Sequence, residues 1–328
     1  MEKTERLRVL DFHGLRLGLS ADDAVATALD ARFARFRQVP SGPCDLRFDF
    51  RKIRAGEHLA PERQPDARVI YESAMGQVLY SEHADRLTIS SVWPIHADCE
   101  PRSGKTVISV EGAVDEHLWA LAHALLTIPL IETLKRRGRY NVHAAGVALA
   151  GKGLLMPGSS GSGKSTLALA LARAGFDFLG DDMTFLVREA EALRALAFPE
   201  AFDLTDDTLR LFPDLADLQE APKQPGWPKH QLRAEDRFGA QIAWSCRPVA
   251  LVFPRVSGRR HSALAPMESD QALLEILPNV LLSEPASSQQ HLDVLGRLVA
   301  SCACYRLETG TDFDEVAALL RGVIDRQA

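Results

Sequence analysis

No stretch of this 328-residue chain approaches the ~18 uninterrupted apolar residues of a membrane span, and the charged opening Met1-Glu2-Lys3-Thr4-Glu5-Arg6 leads into no apolar signal core. Cysteine is scarce. Cys44, Cys99, Cys246, Cys302 and Cys304 are odd in number and contain no Cys-x-x-Cys, so neither a disulfide framework nor a zinc site is indicated. Positive charge is not in excess. With 38 Lys and Arg against 44 Asp and Glu, a net charge of -6 and a pI near 6.0, the chain gives no electrostatic reason to bind nucleic acid or an anionic membrane. A reducing cytoplasm is the expected address. What is present is the composition of an ordinary globular protein, 46% hydrophobic and 25% charged, with a length that suggests about two domains.

The first part reads as short strands, for example Leu46 to Phe50, Arg68 to Tyr71, Gln77 to Tyr80 and Arg86 to Ser90, with a helix over Ala21 to Arg37. It carries no chemical motif. Val107 to Val110 ends it as a last strand, so residues 1–110 are expected to form a smaller β-rich domain and 111–328 a larger α/β one. Val114 to Arg136 follows as a helical pattern with Leu118, Leu121, Leu125, Ile128 and Ile131 on one side, stopped by Gly138.

The most informative segment is Gly158-Ser159-Ser160-Gly161-Ser162-Gly163-Lys164-Ser165-Thr166, which fits G-x-x-x-x-G-K-[ST]. In such a loop successive backbone N–H groups form an anion nest, the lysine reaches the β- and γ-phosphates, and the first hydroxyl after it binds Mg²⁺. An apolar run, Gly153 to Met156, precedes it as a strand, and Leu167 to Ala174 follows as a helix ended by Gly175. Without nucleotide, Lys164 is expected to be solvated.

Tyr140 to Leu149 and Gly153 to Met156 flank the turn-forming Ala150-Gly151-Lys152-Gly153, so they are expected to pair as a hairpin feeding the loop. With Gly151 and Lys152 at the tip, residue 150 pairs with 153 and His143 comes opposite Ser160, beside the loop. A strand histidine with a purely structural hydrogen bond is the alternative, because a slip of one residue turns it to the other face. Gly180-Asp181-Asp182 follows the strand Phe176 to Leu179, and a strand, loop, helix, strand crossover brings both strand ends to one edge of the sheet. Two carboxylates then stand near the phosphates. One can hold the metal while the other takes the proton of an attacking hydroxyl, and repulsion between them raises the proton affinity of the second.

His143, 21 residues before Lys164, the loop, and Asp181 and Asp182, 17 and 18 residues after it, closely resemble the catalytic core of bacterial HPr kinase/phosphorylase. The resemblance covers about Val142 to Phe185. It implies a fold similar to that of ATP-dependent phosphoenolpyruvate carboxykinase and Mg²⁺-dependent transfer of a phosphoryl group from ATP to a serine. By the same resemblance Asp182 is the base, Ser165 is on the metal, and His143 is near the phosphates. The family segment Glu-x-Arg-Gly-x-Gly is not present; the nearest is Phe198-Pro199-Glu200-Ala201-Phe202-Asp203, with Glu200 as a metal ligand. The chain thus looks like the divergent relatives of that family, some of which phosphorylate a serine of a small peptide.

The expected acceptor is a peptide or small protein bearing a serine, and assembly into a homo-oligomer is left open. Lys223, Lys229 and His230, in the Pro-containing segment Pro222 to His230, are candidate phosphate clamps, as is Arg255, while Trp227 is a loop anchor or a stacking residue. A P-loop ATPase or regulatory nucleotide-binding protein, and a small-molecule kinase of the carboxykinase-like fold, are the other readings. The first needs a Walker B strand, whereas the strongest late apolar strand ends in Phe253-Pro254-Arg255.

Overall fold

The computed structural model describes residues 6–21, 32–53, 64–73, 76–92, 95–111, 125–190, 192–223 and 229–327. It is a mixed α/β protein of two compact units. Met1–Arg137 and Leu281–Ser288 belong to the first; Gly138–Lys223, Lys229–Val280 and Gln289–Ala328 make the second. Of the helix expected over Val114 to Arg136, the part before Leu125 lies outside the described residues, and the described remainder is grouped with the first unit.

Eight strands form the sheet of the first unit: β1 (Arg6–Phe12), β2 (Leu15–Ala21), β3 (Leu46–Ile53), β4 (Arg68–Ser73), β5 (Gly76–Ser81), β6 (Arg86–Ser91), β7 (Ile95–Glu100) and β8 (Lys105–Glu111). Their order is β1-β2-β3-β8-β7-β6-β5-β4, parallel where β3 meets β2 and β8 and antiparallel elsewhere. Alternation decides the faces. In β3, Leu46, Phe48 and Phe50 are buried while Arg47 and Arg51 are exposed. Most of the helix expected over Ala21 to Arg37 lies outside the described residues, and Ala21 itself closes β2.

Helix α1 (Leu126–Lys135) buries Leu126, Leu130 and Leu134, and Gly138, at φ +70°, follows its end. Its Glu132 and Lys135 are buried as a pair at 2.5 Å. Arg136 bridges Glu132 and Asp85 at 2.6 Å each, Tyr80 donates to Asp85 at 2.9 Å, and Ser283 donates to Glu132. Buried charges persist where each finds a partner of opposite sign.

The second unit is built on a nine-stranded sheet. Its strands are β9 (Tyr140–Val142), β10 (Ala144–Leu149), β11 (Lys152–Pro157), β12 (Asp177–Gly180), β13 (Thr184–Glu189), β14 (Ala192–Leu196), β17 (Ser245–Val256), β18 (Ala263–Pro266) and β19 (Ala303–Thr309). β15 (Phe202–Leu204) and β16 (His230–Leu232) form a separate ribbon. The path runs β12-β10-β11-β17-β14-β13-β9, with β19 also beside β17 and β18 beside β19. β11, β17 and β19 are parallel; β12 runs with them because both β11 and β12 are antiparallel to β10.

Both faces of this sheet are covered, so the strands read as continuous apolar runs. Ala145, Val147, Leu154 and Met156 pack with α2 (Lys164–Arg173) and α8 (Phe313–Asp325). Ala144, Ala148 and Leu155 pack instead with α6 (Ser269–Ile276) and the later part of α7 (Pro285–Ser301). Three short helices, α3 (Asp206–Arg210), α4 (Ala216–Glu220) and α5 (Ala234–Phe238), complete the unit.

The β10–β11 hairpin corrects one expectation. Leu149 pairs with Lys152, so the tip is Ala150-Gly151 and not Gly151-Lys152. Both tip residues have positive φ, +50° and +76°, as a two-residue turn matched to strand twist requires. Continued by one residue beyond Ala144 opposite Pro157, this register sets His143 against Gly158 and not Ser160. The shift is by two residues. A side chain therefore keeps its face.

Candidate active site

Gly158 to Gly163 join β11 to α2, and Lys164 to Thr166 form the first turn of α2, as the sequence pattern predicts. Gly163 is the N-cap of α2 at φ +95°, Gly161 sits at +81°, and no side chain caps the helix. The first-turn N–H groups of α2 are thereby left without a side-chain acceptor, which is the arrangement that binds an anion. At the other end, Gly175 at φ +86° closes the helix: its N–H donates to Ala172 and that of Phe176 to Leu171, both at 3.1 Å, a Schellman motif. Leu167, Leu169 and Leu171 have no exposed surface. Burial of each contributes about 2 kcal/mol toward fixing the helix and the loop before it.

Lys164 is not solvated. It is 5% exposed, and its Nζ donates to the carbonyls of Gly158 at 2.8 Å and Ser159 at 3.3 Å. Folded over the loop, the ammonium satisfies carbonyls that would otherwise lack donors. Burial pulls its pKa down, the charges of Asp182 and Asp181 oppose that, and the nearby charge of Lys229 adds to the lowering.

Asp182 and His143 meet the lysine at the sheet edge. Asp182 Oδ1 is 3.8 Å from Lys164 Nζ and 3.5 Å from His143 Nε2, and Asp182 is 58% exposed, open to an incoming hydroxyl. His143 occupies the single position between β9 and β10, where the chain leaves β13 as partner and takes β11. That change of partner interrupts the strand expected over Tyr140 to Leu149. Burial holds the His143 imidazole below its ordinary pKa, with the Asp182 charge pulling the other way.

Asp181 has a different environment. Its carboxyl is buried and pushed up to about 8, first by burial and then by the charge of Asp182, against the Ser165 hydroxyl beside it. Oδ2 accepts the Asp203 N–H at 3.4 Å, and Oδ1 has no hydrogen-bond partner. Gly180 fixes the turn into the pair. A Cβ there would stand 2.6 Å from the Met183 carbonyl oxygen and 2.8 Å from that of Phe198, so no other residue fits without moving backbone.

A buried carboxylate oxygen without a donor, next to a hydroxyl, fits a divalent cation. Among the described residues no group of three His, Cys, Asp or Glu converges to hold a metal. Glu200 is thus not gathered with Asp181 into such a group. A divalent cation here would be held by Ser165 and Asp181, leaving its other positions to water or substrate oxygens, as suits Mg²⁺ better than an all-protein cage.

The other basic candidates separate. His230 and Lys223 are both tied to Asp206, His230 Nε2 at 2.9 Å and Lys223 Nζ at 3.3 Å. Arg255 is 3.2 Å from Glu275 Oε1, while Arg259 and Arg260 are 3.6 and 3.7 Å from Glu308 and Asp312. Lys229 is the cation whose charge reaches Lys164. Trp227 lies outside the described residues. Sequence reasoning missed a hydroxyl chain: Thr166 is 3.1 Å from Thr208, which is 3.1 Å from Thr205, the N-cap of α3. The signal was available in Thr205-Asp206-Asp207-Thr208, a capping threonine before an acidic first turn.

No protein-family model matches this chain, and no curated protein sequence matches it significantly. A solved structure titled as the Hpr(Ser) kinase/phosphatase from Coxiella burnetii aligns with 57% of this chain and 94% of its own, at 12% identity and a TM-score of 0.33. No helix among the described residues is long and apolar enough to cross a membrane, and the five cysteines are free thiols.

Proposed function

We propose that this chain is a Mg²⁺-dependent kinase that transfers the γ-phosphoryl group of ATP to a serine hydroxyl of a peptide or small protein. The observation that carries this is the meeting of Lys164, Asp182 and His143 within 3.8 Å contacts at the mouth of a phosphate loop, beside a buried carboxylate with a free oxygen. The sequence resemblance to HPr kinase/phosphorylase in the same residues supports it.

Each group has a task that its surroundings fit. Lys164 exchanges the carbonyls of Gly158 and Ser159 for the β- and γ-phosphates, and the α2 N–H groups and loop amides hold the remaining oxygens. Ser165 and Asp181 would hold Mg²⁺, which neutralises phosphate charge as it develops. Asp182 accepts the proton of the serine hydroxyl as its oxygen bonds to the γ-phosphorus and the bond to the bridging oxygen of ADP breaks. His143, uncharged near neutral pH because of its burial, orients Asp182 without competing for phosphate as a cation. Lys229, whose charge is felt at Lys164, would add positive charge to the transferring group.

Incubation of the protein with γ-labelled ATP and a library of serine peptides, with and without Mg²⁺, tests the proposal. Label on serine that disappears when Mg²⁺ is chelated is expected. Steady release of labelled phosphate to water, with no labelled peptide or small molecule, would favour an ATPase instead.

A further inference from the structure

The phosphate loop has two flanks, and the groups described so far occupy one. Asp181, Asp182 and His143 stand at the ends of β12 and β10; on the other side of β11 the carboxyl ends of β17 and β19 reach the same edge. With the γ-phosphate at Asp182, that second flank is available to the rest of the donor.

That flank has the features of a ligand surface. Val256 pairs with Thr309, so their side chains stand on one face of the sheet. It is the α2 face, because Val252 and Leu307, in phase with them, pack in the α2 core. Val256 Cγ2 lies 3.1 Å from where a Cβ on Gly163 would stand, yet Val256 is 67% exposed. A branched apolar side chain is thus held against the loop and left open to solvent.

Beside it, Thr309 is buried and its hydroxyl has no partner. An unpaired buried hydroxyl costs about 1–3 kcal/mol, which an incoming donor or acceptor would recover. Further along α2, a cleft of about 500 Å³ is lined by Ala170, Arg173, Arg260, Asp312 and Phe313 at the start of α8.

We infer that the nucleoside of the phosphoryl donor binds on this flank, its base against Val256 with the Thr309 hydroxyl as polar partner, and its edge directed toward the α2–α8 cleft. The donor is accordingly a nucleoside triphosphate held by its base as well as its phosphates, and not an inorganic polyphosphate. This rests on Gly158 to Thr166 binding phosphate, so the test separates the two ideas.

Calorimetry with Mg-ATP and with Mg-tripolyphosphate is run on the full chain and on Val256→Asn, Thr309→Val and Lys164→Ala. The wild type is expected to prefer ATP, and each flank variant to lose about fivefold or more in ATP affinity while tripolyphosphate binding stays within about twofold. Because the Thr309 hydroxyl has no partner, Thr309→Val should fold with an unchanged melting curve. Equal loss for both ligands, or no loss for either, would overturn the nucleoside site. Undiminished tripolyphosphate binding by Lys164→Ala would overturn the phosphate loop itself, and the inference with it.

Discussion

At the scale of single residues, two adjacent aspartates are set apart first by burial. Asp182 is exposed and within reach of Lys164 and His143; Asp181 is buried with one oxygen unpaired. Asp181→Asn should weaken the response to Mg²⁺, seen as a raised half-saturating Mg²⁺ concentration for ATP binding. Its elevated pKa also makes the metal-free fold sensitive to pH. The folded carboxyl titrates near 8 and the unfolded one near 3.8, so the native state holds the proton more tightly. The stability from this neutral form is present at low pH and declines as pH rises from about 4 through 8. Melting of metal-free protein at about pH 5 and about pH 8.5 should therefore show the wild type losing stability relative to Asp181→Asn at the higher pH. An identical pH dependence in the two proteins would contradict the burial of this carboxyl. Lys229→Met should lower kcat without a comparable rise in KM for ATP, as a cation engaged mainly during transfer would; a change confined to KM would remove it from the transfer step.

At the scale of elements, the site depends on where strands end. Gly180 closes β12 with carbonyl oxygens of Met183 and Phe198 where a Cβ would stand, so Gly180→Ala must displace the turn that carries both aspartates. A stability loss of roughly 1–3 kcal/mol with a larger proportional loss of turnover is expected, measured by denaturant unfolding and initial rates. Much of this geometry is legible in the sequence. The phosphate loop, its flanking strand and helix, the Gly175 stop and the approach of Asp182 all follow from local pattern. The hairpin tip did not, because Ala150-Gly151-Lys152-Gly153 offers glycine at two positions and only the twist-matched pair has positive φ at both residues. His143 kept its face because the two choices differ by an even number of residues. The burial of Asp181 was not legible either. Its Oδ2 accepts the N–H of Asp203, contributed by a later segment, and no local pattern reports such a contact.

At the scale of the whole molecule, the residues of the proposed site all belong to the second unit, while the first supplies a large sheet without a catalytic pattern. We propose that residues 1–110 of the first unit recognise the acceptor. The coherence of that unit includes a network of buried charge, so Glu132→Ala, which strands Lys135 without its carboxylate and leaves Arg136 with Asp85, should cost about 3–5 kcal/mol. Thermal unfolding of that variant measures the cost, and a loss within the range of surface substitutions would show the network to be incidental. The central claim is that one mouth of the loop both grips ATP and activates a hydroxyl. Asp182→Asn separates the two. Binding of Mg-ATP and transfer of label from γ-labelled ATP to a serine peptide are measured on the same preparation of this variant. Affinity close to that of the wild type with transfer reduced by about 10² or more is the predicted result, since the lost group acts on the acceptor proton. Transfer at the wild-type rate would contradict the account and place the base elsewhere.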